Sequence, residues 1–134
     1  MMLKSRVFTI SIHRPYGEVY RFLSEPTNLA LWGGTEPASE MRHLGGTDYL
    51  VQLPRGRRVM RFTPVNAFGV LDYQVFEEGE DGGPLTPVRL HPNQDGCELV
   101  FTWYQRPGVD DERFASESEW AYSDLLRMKA YIER

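Results

Sequence analysis

The chain carries a single cysteine, Cys97, among 134 residues. One thiol excludes an internal disulfide and any zinc site built from several thiolates. Set in an apolar, strand-like segment, it reads as a small core residue rather than a nucleophile. Long hydrophobic runs are also missing, so no membrane span is expected. Positive charge is scarce, with 15 Lys and Arg against 19 Asp and Glu and a net charge of −4. Nucleic-acid binding needs a basic patch, so nucleic acid is not an expected partner. The one dense basic run is Arg55, Arg57 and Arg58, beside Pro54 and Gly56. It reads as a solvated turn. No apolar segment follows Lys4 and Arg6, which predicts no signal peptide and a cytoplasmic location.

Familiar catalytic motifs are absent too. There is no G-x-S-x-G, no Gly-rich phosphate loop and no H-E-x-x-H. The histidines His13, His43 and His91 lie far apart in the sequence, so neither a metal site nor a cofactor is expected. His13 precedes Arg14-Pro15 and suits a turn. His43 is the one histidine placed near a pocket mouth. A hydrogen-bonded surface histidine is the plainer reading there, and a general base the sharper one.

Aromatic residues, by contrast, are plentiful: seven Phe, seven Tyr and three Trp, 13% of the chain. Hydrophobic residues make up 41% and charged residues 25%, as in a globular protein of one domain spanning 1–134. Such a domain buries about 70% of its unfolded-chain surface. The aromatics therefore either fill a core or line a pocket.

Periodicity orders the elements. Phe8, Ile10 and Ile12 alternate as in a strand. Val19, Phe22 and Leu23 follow Pro15 at helical spacing, and Leu29, Leu31 and Trp32 make a second short helix before Gly33-Gly34. Period two then returns over 40–44, 48–53, 57–63, 68–78, 84–91 and 96–106. Turn residues separate these segments, so an antiparallel meander is expected. After Pro107-Gly108 and the acidic Asp110, Asp111 and Glu112, an amphipathic helix closes the chain. Its stripe is Phe114, Ser118, Ala121, Leu125, Met128 and Ile132.

Hairpin centres predict which residues share a face. Placing Asp72 opposite Arg89, Arg89 opposite Val100 and Arg61 opposite Val70 separates two sets. One holds Met60, Phe62, Leu71, Tyr73, Val75, Val88, Leu90, Cys97, Leu99, Phe101 and Trp103, and must face the long helix. The other holds Val59, Arg61, Asp72, Arg89, His91 and Glu98, and reads as a wet face with crossed charges. Arg61, Asp72 and Arg89 as a buried catalytic cluster is the less favoured alternative. A helix over a curved sheet leaves a space, and small-molecule sites are such spaces with a few polar handles. The candidate ligand contacts are Trp32, Tyr49, Met60, Phe62, Leu71, Tyr73, Leu90, Leu99, Phe101, Trp103, Trp120 and Leu125. The handles are the Tyr73 hydroxyl, the Trp103 and Trp120 indole N–H groups, Tyr49 and Gln105. His43 and Tyr73 are the candidates for acid–base chemistry.

In this order the segments resemble the START/Bet v 1-like superfamily, also called SRPBCC or polyketide cyclase/dehydrase-like proteins. Residues 10–23 and 28–32 resemble its opening strand, first helix and second helix. Residues 68–75, 87–93 and the run from Cys97 through Pro107-Gly108 into the last helix resemble a bacterial subgroup. The resemblance implies an α+β helix-grip fold, with a seven-stranded antiparallel sheet wrapped around the long C-terminal helix and two short helices after strand 1. It implies a hydrophobic cavity for a lipid- or polyketide-like metabolite, with cyclase or dehydrase chemistry in some members. No catalytic residue carries over, because the family has no universal catalytic motif. The competing reading is a protein-interaction module without turnover, docking through the acidic 77–81 loop or the 55–58 turn. A homodimer is compatible with both.

Overall fold

The computed structural model describes residues 1–32, 41–53 and 56–134, and for Ala30 and Trp32 the backbone alone. The first strand, β1 (Ser5–Ile12), buries Phe8, Ile10 and Ile12 on one side, as its alternation requires. It pairs antiparallel along its whole length with β8 (Gly96–Tyr104), which pairs on its other edge with β7 (Val88–Asn93). A second antiparallel sheet runs in chain order: β2 (Met41–Gly45), β3 (Asp48–Leu53), β4 (Gly56–Phe62), β5 (Tyr73–Phe76) and β6 (Leu85–Thr86).

Among the described residues there are thus eight strands in two sheets, not seven in one. The extra strand arises at Pro87, which divides the expected 84–91 strand into β6 and β7. Proline has no N–H to give to a ladder. Hydrogen bonds still cross the break. The Leu71 N–H donates to the Val88 carbonyl at 2.8 Å, and the Leu90 N–H to the Gly69 carbonyl at 2.9 Å. Gly69 has φ of +69°, and a Cβ there would run into the Leu90 carbonyl. Only glycine lets the two backbones approach this closely.

The expected 68–78 strand is shortened for a second reason. Asn66 organises the preceding turn: its Oδ1 accepts from Phe68 N and Val70 N, and its Nδ2 donates to the carbonyls of Pro64 and Val70. The hairpin loop therefore spans 63–72, between Phe62 and Tyr73, which face each other. This moves two registers. Val70, not Asp72, bridges Arg89. Gln74, not Val70, faces Arg61. Arg89 does lie opposite Val100. Both shifts are even, so the division into faces survives.

The short helices also differ in detail. α1 (Tyr16–Leu23) follows Pro15 as anticipated, but a 3₁₀ turn over Pro26–Asn28 precedes the four-residue α2 (Leu29–Trp32). Asn28 Nδ2 donates to the Phe22 carbonyl at 2.9 Å and ties that turn back to α1. The long helix α3 (Asp111–Ile132) is capped by Asp110, whose carboxylate accepts the Arg113 N–H at 2.8 Å. It buries Phe114, Ser118, Leu125 and Met128. The Ser118 hydroxyl sits in this apolar stripe by donating to the Phe114 carbonyl. At the far end Arg14 Nη2 donates to the carbonyls of Glu133 and Arg134, placing a cation on the negative end of the helix dipole.

The core is lopsided. β1, β8, β7, α1 and the C-terminal half of α3 enclose a solid cluster that includes Ile10, Ile12, Val19, Leu90, Cys97, Leu99 and Met128. β3 to β6 extend beyond this cluster. On the outer face, expected to be wet, Leu50, Val59 and Phe76 form a small buried cluster of their own. Asp72 is buried as well. Arg61 pairs with Asp48 at 2.7 Å rather than joining Asp72 and Arg89 in one cluster.

Candidate ligand-binding cavity

Between the far part of the sheet and α3 lies a cavity of about 530 Å³. Small-molecule sites have volumes of roughly 300–1,000 Å³ and largely apolar walls. β7 and β8 contribute Val88, Leu99, Phe101 and Trp103 to the walls. β4, β5 and the segment before β5 contribute Met60, Phe62, Leu71, Tyr73 and Val75. α3 supplies Trp120, Ala121, Leu125 and Met128, and Leu23 and Leu29 close one end. These are the residues that period-two and period-3.6 patterning turn inward.

Nine of the named contacts therefore face the cavity: Met60, Phe62, Leu71, Tyr73, Leu99, Phe101, Trp103, Trp120 and Leu125. Leu90 does not. It shares their face and, with Leu99, Phe101 and Leu125, the solid cluster, but those three border the space and Leu90 does not. Tyr49 stands outside as well, its ring 4.8 Å from that of His43 and 5.8 Å from that of Phe62. His43 is exposed at the sheet edge, its Nε2 2.9 Å from the Gly46 carbonyl, and does not reach the cavity. The side chain of Trp32 lies outside the described residues. Gln105 Nε2 is engaged with the Val109 carbonyl and Asp111.

Charged residues also line the cavity: Arg58, which was expected in a solvated turn, and Arg106, Arg113, Glu117 and Asp124, which went unread in the sequence. The signal was present on α3. Positions 113, 117, 121, 124 and 128 follow helical spacing beside the apolar stripe. Most of these charges are matched. Arg113 Nε meets Glu117 at 3.2 Å, Arg127 Nη1 meets Asp124 at 2.8 Å and Arg58 Nη2 lies 3.8 Å from Glu77. Among the described residues Arg106 has no carboxylate within ion-pair distance. Its Nη2 donates to the Leu85 carbonyl at 2.7 Å, and burial pushes its pKa down.

The polar handles form a row across the strands. Tyr73 faces Thr86 in the β5–β6 ladder. Val88 faces Phe101, and the Thr102 N–H donates to the Pro87 carbonyl at 3.1 Å. The same register continued past Pro87 sets Thr86 beside Trp103. Burial pushes the Tyr73 phenol up to about 12, against the opposing hydrogen bond with Thr86. It is an O–H donor at any physiological pH. The Trp103 indole Nε1 is buried with no hydrogen-bond partner among the described residues. Cys97 shares the face of Trp103 but lies at the opposite end of β8, in the solid cluster: it is buried, and its thiol is pushed up by burial and then by the neighbouring Glu98 charge. Among the described residues no group of three or more His, Cys, Asp and Glu is placed to hold a metal. No described helix is long and apolar enough to cross a membrane.

The architecture, a long helix gripped by curved antiparallel sheets with two short helices after the first strand, is START/Bet v 1-like. Solved structures of this class superimpose on it. The Aha1 dimer protein from Colwellia psychrerythraea matches with a TM-score of 0.72 at 16% identity, over 97% of this chain and 96% of that one. Ara h 8.0201 matches with a TM-score of 0.67 at 9% identity, over 98% of this chain and 98% of that one. DynU16, a protein of the dynemicin biosynthetic locus, matches with a TM-score of 0.65 at 18% identity, over 96% of this chain and 47% of that one. Identities this low establish the fold. No protein-family model matches the chain, and no curated protein matches its sequence.

Proposed function

We propose that the protein binds a small hydrophobic or aromatic metabolite, lipid- or polyketide-like in character, between its sheets and α3. The observation that carries this is the cavity of about 530 Å³, walled by apolar side chains and holding one buried indole N–H without a partner. A solid core would leave neither. A buried donor left unpaired costs about 1–3 kcal/mol, and a ligand acceptor removes that cost.

Cyclase or dehydrase turnover by this site would rest on Tyr73. Of the two acid–base candidates it alone lines the cavity. Its hydroxyl, protonated up to about pH 12, suits donation to a carbonyl or enolate oxygen rather than proton abstraction. The interaction-module reading is less favoured. Arg58 of one docking segment lies 3.8 Å from Glu77 of the other, so these two charges offset locally.

Native mass spectrometry of freshly purified protein, set against its denatured mass, tests the binding reading. A small-molecule mass lost on denaturation is expected. A bare protein that also fails to take up N-phenyl-1-naphthylamine, a neutral apolar fluorophore, would sink it. Sedimentation in the same preparation asks whether this chain dimerises, as the Colwellia psychrerythraea protein was solved as a dimer.

A further inference from the structure

The polar groups at the Tyr73–Thr86–Trp103 row share one chemical bias. Trp103 Nε1 can only donate, and it is buried without a partner among the described residues. Arg106 can only donate too. It follows Trp103 by three residues, lines the same cavity and is anchored by one Nη2 bond to Leu85, the neighbour of Thr86. The guanidinium also stacks over the Tyr104 ring at 5.0 Å, a contact with its face that leaves its other N–H groups open to an acceptor. The Tyr73 hydroxyl stands in the same row and is in its donor form. The cavity therefore gathers donors at one place, and among the described residues neither of its lining carboxylates, Glu117 and Asp124, is within ion-pair distance of Arg106. Asp124 is near enough to act on the Tyr73 hydroxyl, but its carboxylate is held by Arg127.

Resting on the binding reading above, the geometry points to a ligand whose apolar body fills the cavity and whose carboxylate end is held by Arg106, with Trp103 Nε1 and the Tyr73 hydroxyl as further donors. A single planar guanidinium matches a carboxylate with two parallel bonds. A phosphate dianion would ask for a second unpaired cation. Arg113 and Arg58 do not supply one, since each lies beside a glutamate. A cationic amine would leave the indole N–H unmet and face Arg106 directly.

Displacement of N-phenyl-1-naphthylamine tests this. Competitors are dodecanoate, 1-dodecanol and dodecyl phosphate, each kept below its micellar concentration. Dodecanoate is expected to displace the probe at about tenfold lower concentration than 1-dodecanol, the scale of one charge-assisted hydrogen-bonded contact. Arg106→Gln should erase that preference, read as the ratio of dodecanoate to 1-dodecanol competition on the same variant. Trp103→Phe should reduce it several-fold, and exposed Arg57→Gln should leave it intact. If the probe binds but acid and alcohol compete equally, the carboxylate proposal fails and the cavity reading stands. Dodecyl phosphate outcompeting dodecanoate overturns the choice of carboxylate. If the probe does not bind at all, the cavity reading itself falls and this proposal with it. The wild-type comparison decides even where a variant does not fold.

Discussion

Asp72 and Arg89 are joined by two parallel hydrogen bonds, from Arg89 Nε at 3.0 Å and Nη2 at 2.8 Å. The same carboxylate accepts the Val88 backbone N–H at 2.7 Å. Val88 is the first residue after the break at Pro87, and Asp72 is the last before β5. The pair thus clasps the two sheets where proline interrupts the ladder between them. Placing both charges on one face anticipated their meeting. It did not anticipate that Asp72 is buried at 7% exposure, or that a backbone N–H depends on it.

Asp72→Ala is expected to cost about 2–3 kcal/mol, because it strips a backbone donor and an arginine of their shared acceptor. Asp48→Ala, which breaks a half-exposed pair with Arg61, should cost about 0–1 kcal/mol. Urea unfolding of the two variants separates them, and equal costs would deny the clasp. The acid limb gives an independent check. Burial raises the Asp72 pKa, but the Arg89 and Val88 hydrogen bonds outweigh it and hold it below the usual carboxylate range. Its contribution is therefore complete above the unfolded value of about 4 and is lost as pH falls through the folded value. Asp72→Asn should lose stability at neutral pH and show a shallower decline on acidification.

The fold was legible because its signals are local and repeated. Phe8, Ile10 and Ile12 alternate, and Phe114, Ser118, Leu125 and Met128 recur at helical spacing, so each element's buried side shows in the sequence. Face assignment survived misplaced hairpins because the errors at Val70 and Gln74 were even. The loop over 63–72 was misread because its shape comes from one side chain, Asn66, bonding to backbone groups that no pattern marks. The division between cavity and core was not legible either. Leu90 and Leu99 share a strand-face pattern, yet only Leu99 lines the space. What separates them is how far α1 and α3 extend over the sheet, a three-dimensional distance without a sequence period.

Tyr73 should titrate last. Burial raises its phenol to about 12 from an unfolded value near 10. A group whose folded pKa is raised contributes stability that is complete below the unfolded value. That contribution is lost as pH climbs through the folded one. Thermal melts between about pH 10 and 12 should therefore fall more steeply for the wild type than for Tyr73→Phe. In an ultraviolet phenolate titration the variant should lack the highest step. Identical melts and identical titrations would mean that the hydroxyl is not held in a dry site.

Two apolar truncations on one face should differ in cost. Leu90→Ala opens a hole in the solid cluster and is expected to cost about 2–5 kcal/mol. Met60→Ala removes a side chain that already borders empty space, so it widens a cavity rather than creating one. About half the cost of Leu90→Ala is expected, since contacts are lost on one side only. Urea midpoints at unchanged m-value provide the comparison. A Met60→Ala cost equal to that of Leu90→Ala would mean that the space beside Met60 is filled.

Filling the cavity should separate binding from stability. Val75 lies on β5 opposite Met60, and its side chain borders the space. Val75→Phe would extend a ring into unoccupied volume without moving the backbone. It buries new apolar surface at about 25 cal/mol per Å². The melting temperature should hold or rise by a few degrees, while affinity for N-phenyl-1-naphthylamine falls by tenfold or more. In a filled core the same substitution would overpack and cost about 1–3 kcal/mol. A lowered melting temperature together with unchanged probe affinity would therefore place the probe elsewhere and leave the interior solid.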